Sequence, residues 1–314
     1  MNTKLSHLFK SVVVMSMIGG LLTGCLSEPD FEPVEEGSGI EISLDGSIKQ
    51  IATKVTAEGF ETGDALGLYA VNYENNNQTP GTLLAEGNQA DHIKYIFNFE
   101  TYQWIPVKKV YYKDVNTNVD LYVFYPHAEP ASVEAYNFEV QKDQSKAKTT
   151  TSLGGYEASD FLWAKTSGAE YGRPVTLTYG HLMAGVQVVL QKGEGFTDTE
   201  WSKLPKIVSV DNTIRKAVVN LEKGTVTADG AYDQNVILSD EGASYRGVVV
   251  PQTVEAGKSI IGVTIDGVSY SYTTSSNGQF HRHGSHFEDA KTEPSDNSVE
   301  SHSRCHVSHA DDIR

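Results

Sequence analysis

Strict alternation of apolar and polar residues opens the informative part of the chain. Ile40, Ile42 and Leu44 alternate with Glu41 and Ser43. That period of two predicts a strand with one buried face. After a turn at Gly63-Asp64, Leu66 to Val71 reads as a second strand. Ile93, Tyr95, Phe97 and Phe99 alternate, turn at Glu100-Thr101 and return through Tyr102-Gln103-Trp104, which predicts a hairpin. Val119 to Tyr125 is almost continuously apolar and stops at Pro126, as in a central strand buried on both faces. Asp160 to Ala164 is short, aromatic and expected to be buried.

The second half repeats the style. Val175 to Tyr179 alternates, and Ala184 to Leu190 is apolar and rich in β-branched residues. Asp198 to Lys203 predicts a short helix. Ile207–Val210, Ala217–Leu221 and Arg246–Val250 read as strands, the last ended by Pro251. Ile261, Val263 and Ile265 face one way, and Val268, Tyr270 and Tyr272 return on one face. Asp266-Gly267 between them predicts a two-residue type I′ turn, because both positions need positive φ. Residues 74–91, rich in Asn, Gln and Gly, are expected to form a loop, and the polar Gln141–Ser152 an exposed one.

Short strands at turn-punctuated spacing in both halves imply an all-β fold of two antiparallel β-sandwich domains in series, not a parallel sheet with crossover helices. The expected domains are residues 39–168 and 172–280. Composition agrees: Tyr and Gly are plentiful and Leu-rich helical stripes are absent. A formal net charge of −16 argues against a nucleic-acid partner, whose phosphates demand clustered Lys and Arg.

The N-terminus adds a compartment. Lys4 and Lys10 precede an apolar run from Val12 to Leu22, then Leu22-Thr23-Gly24-Cys25. The run is too short to cross a hydrocarbon core of roughly 30 Å. Its order is that of a signal peptide, residues 1–24, with cleavage before Cys25. Lipid on the Cys25 sulfur and amine would then anchor the protein in a membrane. Residues 25–38 carry Glu28, Asp30, Glu32, Glu35 and Glu36 with two prolines, and read as an acidic extended tether. With Cys25 lipidated, Cys305 is left without an intrachain partner, so stability must come from a packed core.

Residues 281–314 lose all alternation and read as an unstructured His- and Ser-rich tail. The expected origin of that abrupt shift is a change of reading frame near Asn277 to His281, with a solvated, functionless tail as the alternative. His302, Cys305, His306 and His309 have ligand-like spacing, but a zinc site needs its ligands held convergent, so no metal is expected. No Gly-x-Ser-x-Gly, His-Glu-x-x-His, phosphate-binding or dinucleotide motif is present. Neither catalysis nor a cofactor is expected. His181 reads as a satisfied, partly buried histidine. Tyr102, Trp104, Tyr111 and Tyr112 could form a sugar-stacking platform on a monomeric surface lipoprotein, although at strand spacing aromatics are more often core.

Several short motifs occur in a definite order. They are the lipobox ending at Cys25; Phe60-x-x-Gly63-Asp64-x-Leu66-Gly67-Leu68-Tyr69; and Tyr122-x-x-Tyr125-Pro126. Asp160-Phe161-Leu162-Trp163-Ala164, Leu177-x-Tyr179-x-His181-Leu182-Met183-Ala184 and Val249-Val250-Pro251-Gln252 follow. Together they resemble the fimbrillin-like lipoproteins of Bacteroidetes. The resemblance implies two transthyretin-like sandwiches, delivery to the outer membrane and cell surface, and assembly with other fimbrial subunits by donor-strand exchange. It implies that a trypsin-like processing protease removes the first strand, here Ile40 to Leu44. Lys54 is then the cleavage candidate, with Lys49 second, where the family usually has Arg. The family also ends in further strands that serve assembly, which residues 281–314 do not resemble.

Overall fold

The computed structural model describes residues 39–44, 59–192, 196–232 and 234–282, and the backbone of 284–286 and 305–308. The first half contributes β1 (Ala65–Asn72), β2 (Ala90–Asn98), β3 (Gln103–Pro106), β4 (Val119–Tyr125), β5 (Tyr136–Glu139), β6 (Leu162–Ala169) and β7 (Gly180–His181). Six of these form one antiparallel sheet in the order β3-β2-β1-β4-β6-β7.

The second half begins with β8 (Ala184–Leu190), the helix α1 (Asp198–Lys203), β9 (Lys206–Thr213), β10 (Lys216–Asn220) and β11 (Thr225–Ala228). Then come β12 (Gln234–Ile237), β13 (Ser239–Asp240), β14 (Tyr245–Val249), β15 (Gln252–Val254), β16 (Ser259–Ile265) and β17 (Val268–Thr273). The last are β18 (Gly278–His281), β19 (Gly284–His286) and β20 (Cys305–Ser308). They build sheets β12-β9-β16-β17, β13-β14-β8-β20 and β15-β18-β19, while β10 lies between β11 and β5. The all-β, antiparallel class expected from the sequence is the class observed.

Two apolar cores lie against the six-stranded sheet. Leu66, Leu68 and Ala70 of β1, with Val119, Leu121, Val123 and Tyr125 of β4, line the first. The intervening Tyr69, Val71, Tyr122 and Phe124 belong to the second, which they share with Val186, Val208, Val219, Val248 and Phe280. Period-two alternation thus sends neighbouring side chains into different cores. Every residue of β4 is buried, as a central strand requires.

Local chemistry explains the elements. Thr197 and Glu200 form a reciprocal capping box that starts α1. Asp266 (φ 48°) and Gly267 (φ 79°) both adopt the left-handed conformation, so the β16–β17 hairpin has the expected turn.

Some expectations differ from the fold. A division at residues 168–172 falls at the end of β6, yet Val175, Leu177 and Tyr179 continue the first core. Of these, only Val175 makes a strand-like bridge, an isolated one, so the alternation produced an extended buried segment rather than a strand. Strand β5 was not anticipated; it pairs with β10 from the other half. The loop Gln141–Ser152 is not wholly exposed, because Gln144 is buried to 1% exposure, its amide satisfied by a distant strand. Backbone strands β19 and β20 lie within residues expected to be unstructured; they pair with β18 and β8.

Candidate functional site: the N-terminal segment and its groove

The residues read as a removable strand occupy a slot in the first core. Ile42 N–H donates to the Val110 carbonyl at 2.7 Å, and Tyr112 N–H donates to the Ile40 carbonyl at 3.1 Å. Glu41 pairs antiparallel with Tyr111, while on the opposite side Leu44 forms a parallel bridge to Val175. The segment therefore lies between two neighbours, residues 110–112 and Val175. Ile42 and Leu44 point inward at 1% and 6% exposure, whereas Ile40 and Ser43 are exposed. Burial follows the sequence alternation at Ile42 and Leu44 but not at Ile40, which the pattern placed on the same face and which is exposed.

The walls are aliphatic and aromatic. Val110, Tyr112, Val175 and Leu177 share the first core with Ile42 and Leu44. Burial, reinforced by the Glu41 charge, pushes the Tyr95 phenol well above its ordinary range. Glu41 also meets Lys109 at 3.1 Å, an exposed ion pair that fixes register more than it stabilises. Lys54, Lys49 and Cys25 lie outside the described residues.

Phe60 is the second residue of the next described stretch. Its ring makes edge contacts with Trp104 (4.9 Å between centroids), Tyr125 (5.5 Å) and Tyr179 (5.8 Å). Four residues on, Asp64 is fully buried. Its Oδ2 accepts the Glu61 N–H at 2.8 Å, and Lys148 Nζ lies 2.7 Å from its Oδ1. Lys148 is thereby held above its usual range: burial lowers it, but Asp64 and Glu61 more than offset that. The chain is thus pinned by an aromatic anchor and a buried ion pair directly after the stretch containing Lys54.

The other expected sites fall as follows. His181 is satisfied as expected: its Nδ1 lies 2.7 Å from Oδ1 of the buried Asp160. The four aromatics do not form one platform. Tyr102 is exposed, but Trp104 points inward on β3 and Tyr112 is buried beside Tyr171. Phe99, expected with Tyr95 and Phe97 on the buried face of the hairpin, is instead exposed next to Tyr102, their centroids 4.9 Å apart. Cys305 and His306 are on β20, and His302 and His309 lie outside the described residues. Among the described residues no three acidic, His or Cys side chains cluster as a metal site, and no helix is long and apolar enough to cross a membrane. Sequence reasoning missed Lys109, Lys148 and Glu157; a charged residue in a polar loop leaves no periodic signal.

The profile of the fimbrillin-like family matches residues 53–296. The chain belongs to the fimbrillin-like family. Its fold is shared with a candidate cell adhesion protein from Bacteroides ovatus ATCC 8483, at 16% identity over 76% of this chain and 88% of that one, with a TM-score of 0.52. Similarity extends to a candidate cell adhesion protein from Bacteroides uniformis ATCC 8492 (20% identity, 68% of this chain, 78% of that one, TM-score 0.47). A fimbrial protein from Bacteroides vulgatus ATCC 8482 is more distant (10% identity, 77% of this chain, 90% of that one, TM-score 0.36). No curated protein matches the sequence. For this fimbrillin-like chain, membership supports a structural role at a fimbria or cell surface.

Proposed function

We propose that this chain is a non-enzymatic structural subunit of a surface fimbria, exported as a precursor lipidated at Cys25 and assembled with other subunits by strand donation. Residues 1–24 are removed on export, and the acyl chains hold the precursor in the outer membrane. A trypsin-like protease then cuts at Lys54 and releases the peptide that carries Ile40–Leu44. The vacated slot exposes apolar walls and frees the Val110 C=O and the Tyr112 N–H. A neighbouring subunit's alternating strand satisfies both, which is the physics of β-augmentation.

The observation that carries this reading is the seating of Ile42 and Leu44: a short segment, isolated in sequence from the sheet, fills a core position between two neighbours. N-terminal sequencing of protein shed from the surface tests it. Material beginning at Val55, together with SDS-resistant multimers after trypsin-like treatment, is the expected result. Shed or surface material found only as intact lipid-bearing Cys25 protein, and only as monomer, overturns it. The exposed Phe99–Tyr102 pair favours a second reading, a monomer that binds glycans; retention of unprocessed monomer on a glycan array, lost in Tyr102→Ala, is its test.

A further inference from the structure

The buried pair beside the anchor residue Phe60 has an unusual surround. Lys148 Nζ lies 2.7 Å from Asp64 Oδ1 and 3.2 Å from Glu61 Oε2. The Asp64 side chain is 1% exposed and that of Lys148 is 19% exposed. Asp64 Oδ2 is held by the Glu61 backbone N–H, and the Tyr125 hydroxyl stands 3.4 Å from Oδ1. Glu157 approaches the same group: burial pushes its carboxyl up, with the Glu61 and Asp64 charges adding to the shift and Lys148 opposing it. Gly154 leaves room for that carboxyl, since a Cβ there would collide with Glu157 Oε2. An amine, a carboxyl, a proton acceptor and a fixed N–H donor therefore meet in one site, dry at Asp64 and open to solvent at the half-exposed Glu61.

We propose that Lys148 and Asp64 condense into an intramolecular amide cross-link, Nζ bonded to Cγ, with Glu61 as the proton carrier. The ammonium passes one proton to the Glu61 carboxylate. Glu61 hands that proton to Oδ1, so the neutral amine attacks Cγ of the carboxylic acid, and the charge that develops on Oδ2 is met by the Glu61 N–H, an oxyanion-hole arrangement. The Cγ–Oδ1 bond breaks. Oδ1 leaves as water with the proton carried by Glu61 and a second proton lost by the nitrogen. Ammonium and carboxylate become amide and water, Glu61 is regenerated, and no oxidant or co-reactant is consumed. Condensation that fails between free partners in water proceeds when geometry supplies effective molarities of about 10⁵–10⁸ M. Replacing two desolvated charges by a neutral amide also relieves their burial penalty.

The cross-link would tie the entry of β1 to the 141–152 loop in a chain with only two cysteines, Cys25 and Cys305, and so restrain the unfolded chain as a disulfide would. It does not require the processing scheme above, but it would hold the chain directly downstream of Lys54.

Tryptic mapping of the full-length wild-type protein, denatured and reduced, decides. The expected product is a branched peptide in which Val55–Lys94 is joined to Ala147–Lys165, lighter than their sum by one water and uncleaved at Lys148. Separate peptides with free cleavage after Lys148 overturn the proposal and leave an ion pair only. A cross-link located instead at Lys165 and Asp120, a second buried pair at 3.4 Å, overturns the assignment. Lys148→Arg keeps the charge but cannot form the amide; the boiled wild type should migrate faster on a denaturing gel than this variant. Glu61→Gln should reduce the cross-linked fraction at least severalfold, and an undiminished fraction removes Glu61 from the mechanism. Should either variant fail to fold, the wild-type map still answers.

Discussion

A glutamine side chain takes the place of a strand at Gln144. Its amide nitrogen donates to the Val248 carbonyl at 2.7 Å, and its oxygen accepts the Val248 N–H at 2.8 Å. Gln252 does the same for Ile214, accepting its N–H at 2.7 Å and donating to its carbonyl at 3.1 Å. Gln144→Ala would leave both Val248 groups buried without partners, and each such group costs about 1–3 kcal/mol. Urea unfolding should show a loss of about 2–6 kcal/mol with the m-value unchanged. His127 makes a pH prediction. Burial pushes its imidazole below the ordinary 6.5, although the His92 carbonyl, 3.1 Å from Nε2, pulls the other way; Lys94 lowers it further and Glu129 raises it. The unfolded chain therefore takes up a proton first as pH falls. The stability this residue contributes is full above about pH 6.5 and declines below it until the folded pKa is passed. His127→Gln should flatten that part of the stability profile, measured against wild type by denaturant titration at a series of pH values. None of this residue-scale detail was legible in the sequence. Gln144 and Val248 are 104 positions apart, and a polar residue's partner is fixed by folding, not by its neighbours.

Elements were far more legible, because their signal is local. Val119–Tyr125, Ala184–Leu190 and Asp198–Lys203 have the bounds that pattern alone implies. Strand β5 escaped because Tyr136-Asn-Phe138-Glu offers only two alternations, and its pairing partner is β10. Within the N-terminal segment, Ile42→Ala should cost about 2–5 kcal/mol, the usual range for removing a fully buried aliphatic side chain. Ile40→Ala, at an exposed position, should cost within about 0.5 kcal/mol. Thermal denaturation of the two variants tests this contrast, and equal losses would mean that the slot does not grip the segment by its inward face. At the other end of the chain, Gly267→Val places a β-branched residue at positive φ. A loss of about 1–2 kcal/mol is expected, with the hairpin amides showing faster hydrogen exchange.

At the scale of the whole molecule, the spacing of strands pointed to two sandwiches but not to the way they join. The second core contains Tyr69 and Phe124 from the first half beside Val188 and Val249 from the second. Strand β5 crosses over to pair with β10. The described residues from Gly39 onward accordingly fall within one compact unit. Calorimetry should therefore record one transition with equal calorimetric and van't Hoff enthalpies, not two steps. Two resolved transitions would show that the shared sheet does not couple the halves.

Strand β4 carries a further consequence, for how the sequence can drift. All seven of its positions are buried, and they alternate between one core and the other, with Asp120 held by Lys165 and the Gly168 N–H. An ordinary strand with one wet face offers every second residue as neutral ground. Here that ground is missing, so a change at Leu121 is judged by one core and a change at Tyr122 by the other. A saturation-mutagenesis survey scored for folded protein should show Val119–Tyr125 as an unbroken run of intolerance, without the every-other-residue relief of a surface strand.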